Sequence, residues 1–244
     1  MPRRLSRLTS FGRLALLAPL CLVLSACVGP GEDNGPPPDP FAPDVVEARK
    51  AATSRADAAL DEAAADLEGR IVARTSTDEC YSGQNNYKVS DGYDHRCTLR
   101  RAVVVGFDGD FRERISAFDQ RLFGEGWDCG GIPCDPTYSG LVEEYWDFRK
   151  PEYGGNDPPI SVLPTATSYQ RDGLYLDVGY VSARHRSGRT VLEGWHRRQR
   201  GGLFESFERT RPFDVDTVLE RIAPYDYAVA LAIETDYLDD TDFG

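Results

Sequence analysis

Tyr225–Tyr237 reads YDYAVALAIETDY, and its alternation decides the fold. Tyr227, Val229, Leu231 and Ile233 fall on one side of an extended chain, and Ala228, Ala230 and Ala232 on the other. Side chains along a strand point alternately to opposite faces, so a period of two is a strand signature. The alanines leave room for a helix to approach closely. The segment is expected to be a central strand.

Working outward, Pro224 stops the element before it. Phe213–Ala223 is expected to be a short helix, capped by Asp214 or Asp216, with Val218, Leu219 and Ile222 turned inward. Leu203–Arg209 is a further candidate strand. Gln170-Arg171-Asp172-Gly173 reads as a turn after a strand at Ser161–Tyr169, with Pro164 marking an edge or bulge. Leu174–Arg186 and Arg189–Arg200 read as a hairpin about Ser187-Gly188, which sets Tyr180 opposite Trp195 and Asp177 opposite Arg198. On the far side of 237, Asp239, Asp240 and Asp242 read as a frayed acidic tail.

Nearer the N-terminus, Thr98–Phe107 (TLRRAVVVGF) turns β-branched and reads as a strand. Asp110, with Glu113 three places on, caps a helix whose apolar face is Phe111, Ile115, Phe118 and Leu122, ended by Gly124 and Gly126. Glu79–Asp94 reads as a polar loop, and Trp127–Pro159 as a long irregular stretch. In Asp44–Arg70 the residues Val45, Ala48, Ala52, Ala56, Leu60, Ala63, Leu67 and Ile71 recur every three or four places, a thin helical face begun by an Asp44/Glu47 capping box. The expected divisions are a leader at 1–26, a flexible Pro/Gly-rich tether at 27–43, an Ala-rich helix at 44–71 and one domain at 72–244. The order of elements describes an α+β domain with an antiparallel sheet and helices on one face. It resembles the split βαβ, ferredoxin-like arrangement.

The chain has 244 residues and a formal net charge of −12. Arg3, Arg4, Arg7 and Arg13 open it, and no acid precedes Glu32. Without those four arginines, 24 basic residues face 40 acidic ones, a net −16. That balance excludes a general nucleic-acid binder, which carries a basic footprint. The 11-residue apolar run Leu14–Leu24 is too short to cross a bilayer core, which needs about 20 helical residues. It suits the apolar region of a secretory signal.

Leu24-Ser25-Ala26-Cys27 follows that run and resembles the lipobox of bacterial lipoproteins. The resemblance covers the first ~27 residues. It implies that Cys27 becomes a lipidated mature N-terminus, a palmitate-type anchor on the extracytoplasmic face of the cell membrane. Arginine outnumbers lysine 25 to 3, which suggests a GC-rich source. Ser82–Cys97 (SGQNNYKVSDGYDHRC) and Gly106–Trp127 resemble segments of uncharacterised actinobacterial lipoproteins, a resemblance that supplies no catalytic residues.

With Cys21 in the leader and Cys27 lipidated, Cys80, Cys97, Cys129 and Cys134 remain. An even count in an exported chain reads as two disulfides. Three pairings are open, of which Cys80–Cys97 and Cys129–Cys134 close local loops. Zinc is disfavoured because neither spacing is CxxC and only His95, His185 and His196 are at hand. Asp108-Gly109-Asp110 is better explained by helix capping than by calcium.

The sequence holds no GxSxG, HExxH, Walker or GxGxxG motif, so it calls for no cofactor and names no catalytic residue. Its one charge anomaly is Arg184, Arg186, Arg189, Arg197, Arg198 and Arg200 against the single acid Glu193. Guanidinium groups suit phosphate and carboxylate, so the sharper reading is a site for an anionic envelope component or an acidic protein partner. The plainer one is arginines paired with acids elsewhere, or a hairpin tip that is simply solvated. Tyr138, Tyr145, Trp146 and Tyr153 in polar loops suit stacking on sugars or covering of a small core. The functional expectation is a binding or interaction module at the cell envelope. The alternative is an envelope hydrolase acting on cell-wall material.

Overall fold

The structure is a computed structural model that describes residues 38–83, 92–129, 167–181, 186–195 and 204–240. It is α+β, as the order of elements implies. Six strands form one antiparallel sheet: β1 (Arg70–Ser82), β2 (His95–Phe107), β3 (Thr167–Arg171), β4 (Leu174–Val181), β5 (Phe204–Arg211) and β6 (Tyr227–Asp240), in the order β3-β4-β6-β2-β1-β5. Four helices accompany it among the described residues: α1 (Pro43–Asp66), α2 (Phe111–Gly124), α3 (Arg186–Trp195) and α4 (Val215–Ile222).

β6 lies between β4 and β2, the central place its alternation implies. Val229, Leu231 and Ile233 join a core with α1, α2 and the first-face residues of β2 and β4, among them Val103, Val105, Leu176 and Val178. Ala228, Ala230 and Ala232 join a separate core with Leu192 of α3 and Val218 and Ile222 of α4. The sequence reading puts the helices on one face; the structure puts α1 and α2 on one and α3 and α4 on the other. The alanine face of β6 is the reason, because it admits a second helix layer.

α1 buries Val45, Ala52, Ala56, Ala59, Leu60, Ala63 and Ala64, so the thin alanine stripe is a close-packing surface. Pro43 begins it, a position where the missing N–H costs nothing. Its N-cap is Ala42, without a side-chain hydrogen bond, so Asp44 lies within the first turn and is no cap. Ile71 is the second residue of β1 instead of the last of the helix. The final residues of the expected tether are also engaged: Phe41 sits edge-on to Phe207 at 5.9 Å.

Asp110 caps α2 by accepting from the Glu113 N–H at 2.9 Å, and Asp214 caps α4. β3 and β4 join through Asp172 (φ 51°) and Gly173 (φ 74°), the two positive values of a type I′ hairpin turn. Residues 161–166 of the expected preceding strand lie outside the described residues.

Three further expectations are corrected. The polar loop begins later than Glu79, because β1 runs to Ser82 and pairs through to His95 of β2. The acidic tail is not frayed at Asp239: β6 continues to Asp240, and Asp239 lies 3.3 Å from Arg96. The hairpin about Ser187-Gly188 does not form, since Arg186–Trp195 is helical. Val191 and Trp195, four places apart, fall on one side of a helix as well as on one side of a strand. Trp195 does pack on β4, though from the helix: a Cβ on Gly179 would lie 2.5 Å from its ring.

Candidate functional site

The first face is closed by salt bridges that tie α1 to the sheet. Arg101 binds Asp57 through two 2.9 Å hydrogen bonds. Arg49 reaches Asp78 at 2.7 Å and lies over the rings of Phe207 and Tyr237. The Tyr237 hydroxyl donates to Asp78 at 2.7 Å, and burial, then that carboxylate, pushes its pKa well above the ordinary phenol value. β6 carries an extra residue at this point, since Cys97 pairs with Leu238 and Thr98 with Asp236. Deeper in, the Tyr169 hydroxyl donates to buried Asp119 at 2.6 Å, and burial again raises the phenol strongly. These contacts hold the fold.

The second face differs. Strand pairing sets Asp128 opposite Gln170, Gln170 opposite Tyr175, Tyr175 opposite Glu234 and Glu234 opposite Arg100. Directly opposed residues share a face, so these form one polar row across four strands and the bridging 128 segment. Arg100 anchors it, reaching Asp177 at 2.9 Å and Glu234 at 3.0 Å with its guanidinium 5.4 Å from the Trp195 ring. The row lies beyond the alanine patch that α3 and α4 cover.

At its outer end is a cavity of ≈ 360 Å³, lined by Gly126, Asp128, Gln170, Arg171, Asp172, Gly173 and Tyr175. The volume falls within the roughly 300–1,000 Å³ of small-molecule sites. Arg171 is already committed: it donates to Glu62 at 2.8 Å and to the Glu125 carbonyl at 3.2 Å, and lies 4.5 Å from the Trp127 ring centre. Tyr175 is 50% exposed, unusual for a large ring in a strand whose Leu174, Leu176, Val178 and Tyr180 are all buried. The cavity thus offers an aromatic surface, an amide and two carboxylates.

Toward the same end of the strands as the β3–β4 turn, but on β2, Arg96 lies 3.6 Å from Asp236 and 3.3 Å from Asp239, over the Tyr93 ring at 4.2 Å. Burial alone would lower its pKa, but Asp236, Asp239 and Tyr81 together outweigh that and raise it. Thr98 donates to Asp236 at 2.6 Å.

The residues singled out in the sequence fare unevenly. Cys80 and Cys97 are opposite each other on β1 and β2 and form a disulfide. Cys129 is disulfide-bonded; Cys134 lies outside the described residues. Of the arginine cluster, Arg184, Arg197, Arg198 and Arg200 lie outside them, and Arg186 opens α3. Arg189 is paired, with Asp216 of α4 and with Glu193 at 3.9 Å. Cys27, Tyr138, Tyr145, Trp146, Tyr153, His185 and His196 lie outside the described residues. His95 Nδ1 lies 3.1 Å from Ser82 Oγ because the two residues are strand partners.

Among the described residues no group of three or more potential ligands is arranged for a metal, and no helix is long and apolar enough to cross a membrane. No family model, curated protein or solved structure matches the chain significantly. The sequence reading passed over Tyr175, Gln170 and Asp128. Tyr175 carried a signal, as the one large ring standing off the buried side of β4.

Proposed function

We propose that the chain is a lipoprotein of the bacterial cell envelope, anchored through Cys27, whose folded domain is a binding module presenting the second face of its sheet. The observation that carries this reading is the N-terminal order of four arginines, the Leu14–Leu24 run and Leu24-Ser25-Ala26-Cys27. The Cys80–Cys97 disulfide supports it, because such bonds persist in oxidising compartments. Val28–Pro37 is rich in Pro and Gly and suits a tether between anchor and domain. A diacylated cysteine supplies two chains, enough for stable anchoring where a single chain is marginal. The open row and cavity suit recognition better than the sealed first face does.

The test is radiolabelled palmitate fed to cells expressing the full chain, with the intact mass of the product. The expected result is a labelled, shortened chain beginning at Cys27, with label lost in Cys27→Ala. An unlabelled wild-type chain retaining residues 1–26 would overturn the anchor.

A further inference from the structure

The cavity at the outer end of the polar row has a composition that selects among ligands. We infer that it binds a saccharide, a deeper assignment that rests on the binding-module reading of this face. Tyr175 supplies a half-exposed ring, against which the C–H face of a sugar can stack. Gln170, its strand partner, offers both amide donors and a carbonyl acceptor on the same face. Asp128 and Asp172 border the cavity and accept from hydroxyls. Alternating donors and acceptors beside a flat apolar surface match the two-sided character of a sugar ring.

Other ligand classes fit less well. An anion would meet Asp128 and Asp172, while the nearby cation, Arg171, is spent on Glu62 and Glu125. A purely apolar ligand would desolvate these carboxylates without pairing them, which is costly. The site is also held in shape before any ligand arrives. The β3–β4 turn is a tight type I′ reversal, and the Asp128 and Gln170 backbones exchange hydrogen bonds of 2.9 and 2.7 Å. A preformed site loses less entropy on binding.

The experiment is a titration of the detergent-solubilised full chain with N,N′-diacetylchitobiose, maltotriose and mannobiose, followed by saturation-transfer NMR. At least one sugar should give saturable transfer to its ring protons. Tyr175→Ala should weaken that binding roughly tenfold, about 1.4 kcal/mol. Tyr175→Phe, which keeps the ring, should retain most of it, and Gln170→Ala should weaken it severalfold. Val46→Ser, an exposed change on α1, should leave it alone. An unchanged melting temperature in Tyr175→Ala would show that a loss of binding is not a loss of fold.

The inference is overturned if none of the three sugars saturates, or if Tyr175→Ala binds as tightly as wild type. It is equally overturned if putrescine, a diamine, binds at Tyr175 and the sugars do not. Lipidation at Cys27 with no sugar binding would remove the ligand class and leave the anchor standing. Sugar binding by an unlipidated chain would do the reverse.

Discussion

The two faces of the sheet are built from the same strands and are covered differently. α1 has 24 residues, about 36 Å at 1.5 Å per residue, and with α2 it covers the first face along much of the strands. α3 and α4 have 10 and 8 residues, about 15 and 12 Å. They pack on the alanine patch of the second face and its neighbours Ala102, Val104 and Val181, with Trp195 reaching Gly179 and Arg100. Under α1 the polar groups are ion pairs that tie helix to sheet, such as Arg101–Asp57 and Arg49–Asp78. Beyond α3 and α4 the polar groups make a row on the sheet surface and border a cavity. The difference teaches where to look for function: on the face whose helices stop short.

The comparison breaks most visibly at the core of the first face. Leu231→Ala, at a fully buried position of β6, should cost about 2–5 kcal/mol in urea unfolding, with the midpoint lowered. Tyr175→Ala on the same sheet should stay within about 0.5 kcal/mol of wild type. A large loss of stability from Tyr175→Ala would mean that the cavity edge is structural after all.

A smaller effect sharpens the comparison from the other side, because the first face also holds an imperfectly balanced acidic corner. Glu125 caps the end of α2, and its carboxyl pKa is raised by burial, then by Asp66 and Glu62, against the opposing pull of Arg171. A raised carboxyl contributes stability in acid, below its ordinary value of 4.5, and that contribution is lost as pH rises through the raised value. Glu125→Gln, neutral throughout, should therefore match wild type at low pH and melt higher at neutral pH. Its side chain is 30% exposed, so solvent screening keeps the gain modest. Melting curves of both proteins across that window check the sign; a neutral-pH loss in Glu125→Gln would contradict it.

Much of this architecture was legible because it is local. The Val229/Leu231/Ile233 and Ala228/Ala230/Ala232 alternation places β6 in the sheet and exposes its two faces. The Asp110 and Asp214 caps need only the next three residues, and the type I′ turn needs only Asp172-Gly173. Arg186–Trp195 was not legible, since Val191 and Trp195, four places apart, share a side in a helix as well as in a strand. What decides it is Gly179 leaving room for Trp195, a contact between separate elements. The candidate site is harder still. Tyr175 stands out within its strand, but Asp128 meets Gln170 through one bridge between remote segments, which no local pattern records. Within the arginine cluster, sequence density of charge does not show partners: Arg189 finds Asp216 on a different helix.

Amide exchange of the solubilised full chain, with and without N,N′-diacetylchitobiose, maltotriose or mannobiose, tests most directly that the second face is the binding face. The account predicts slowed exchange at residues 126–128 and along β3–β4 with one of these sugars, and no change along α1. Protection confined to α1 or α2, or unchanged exchange along β3–β4 with all three, would contradict it.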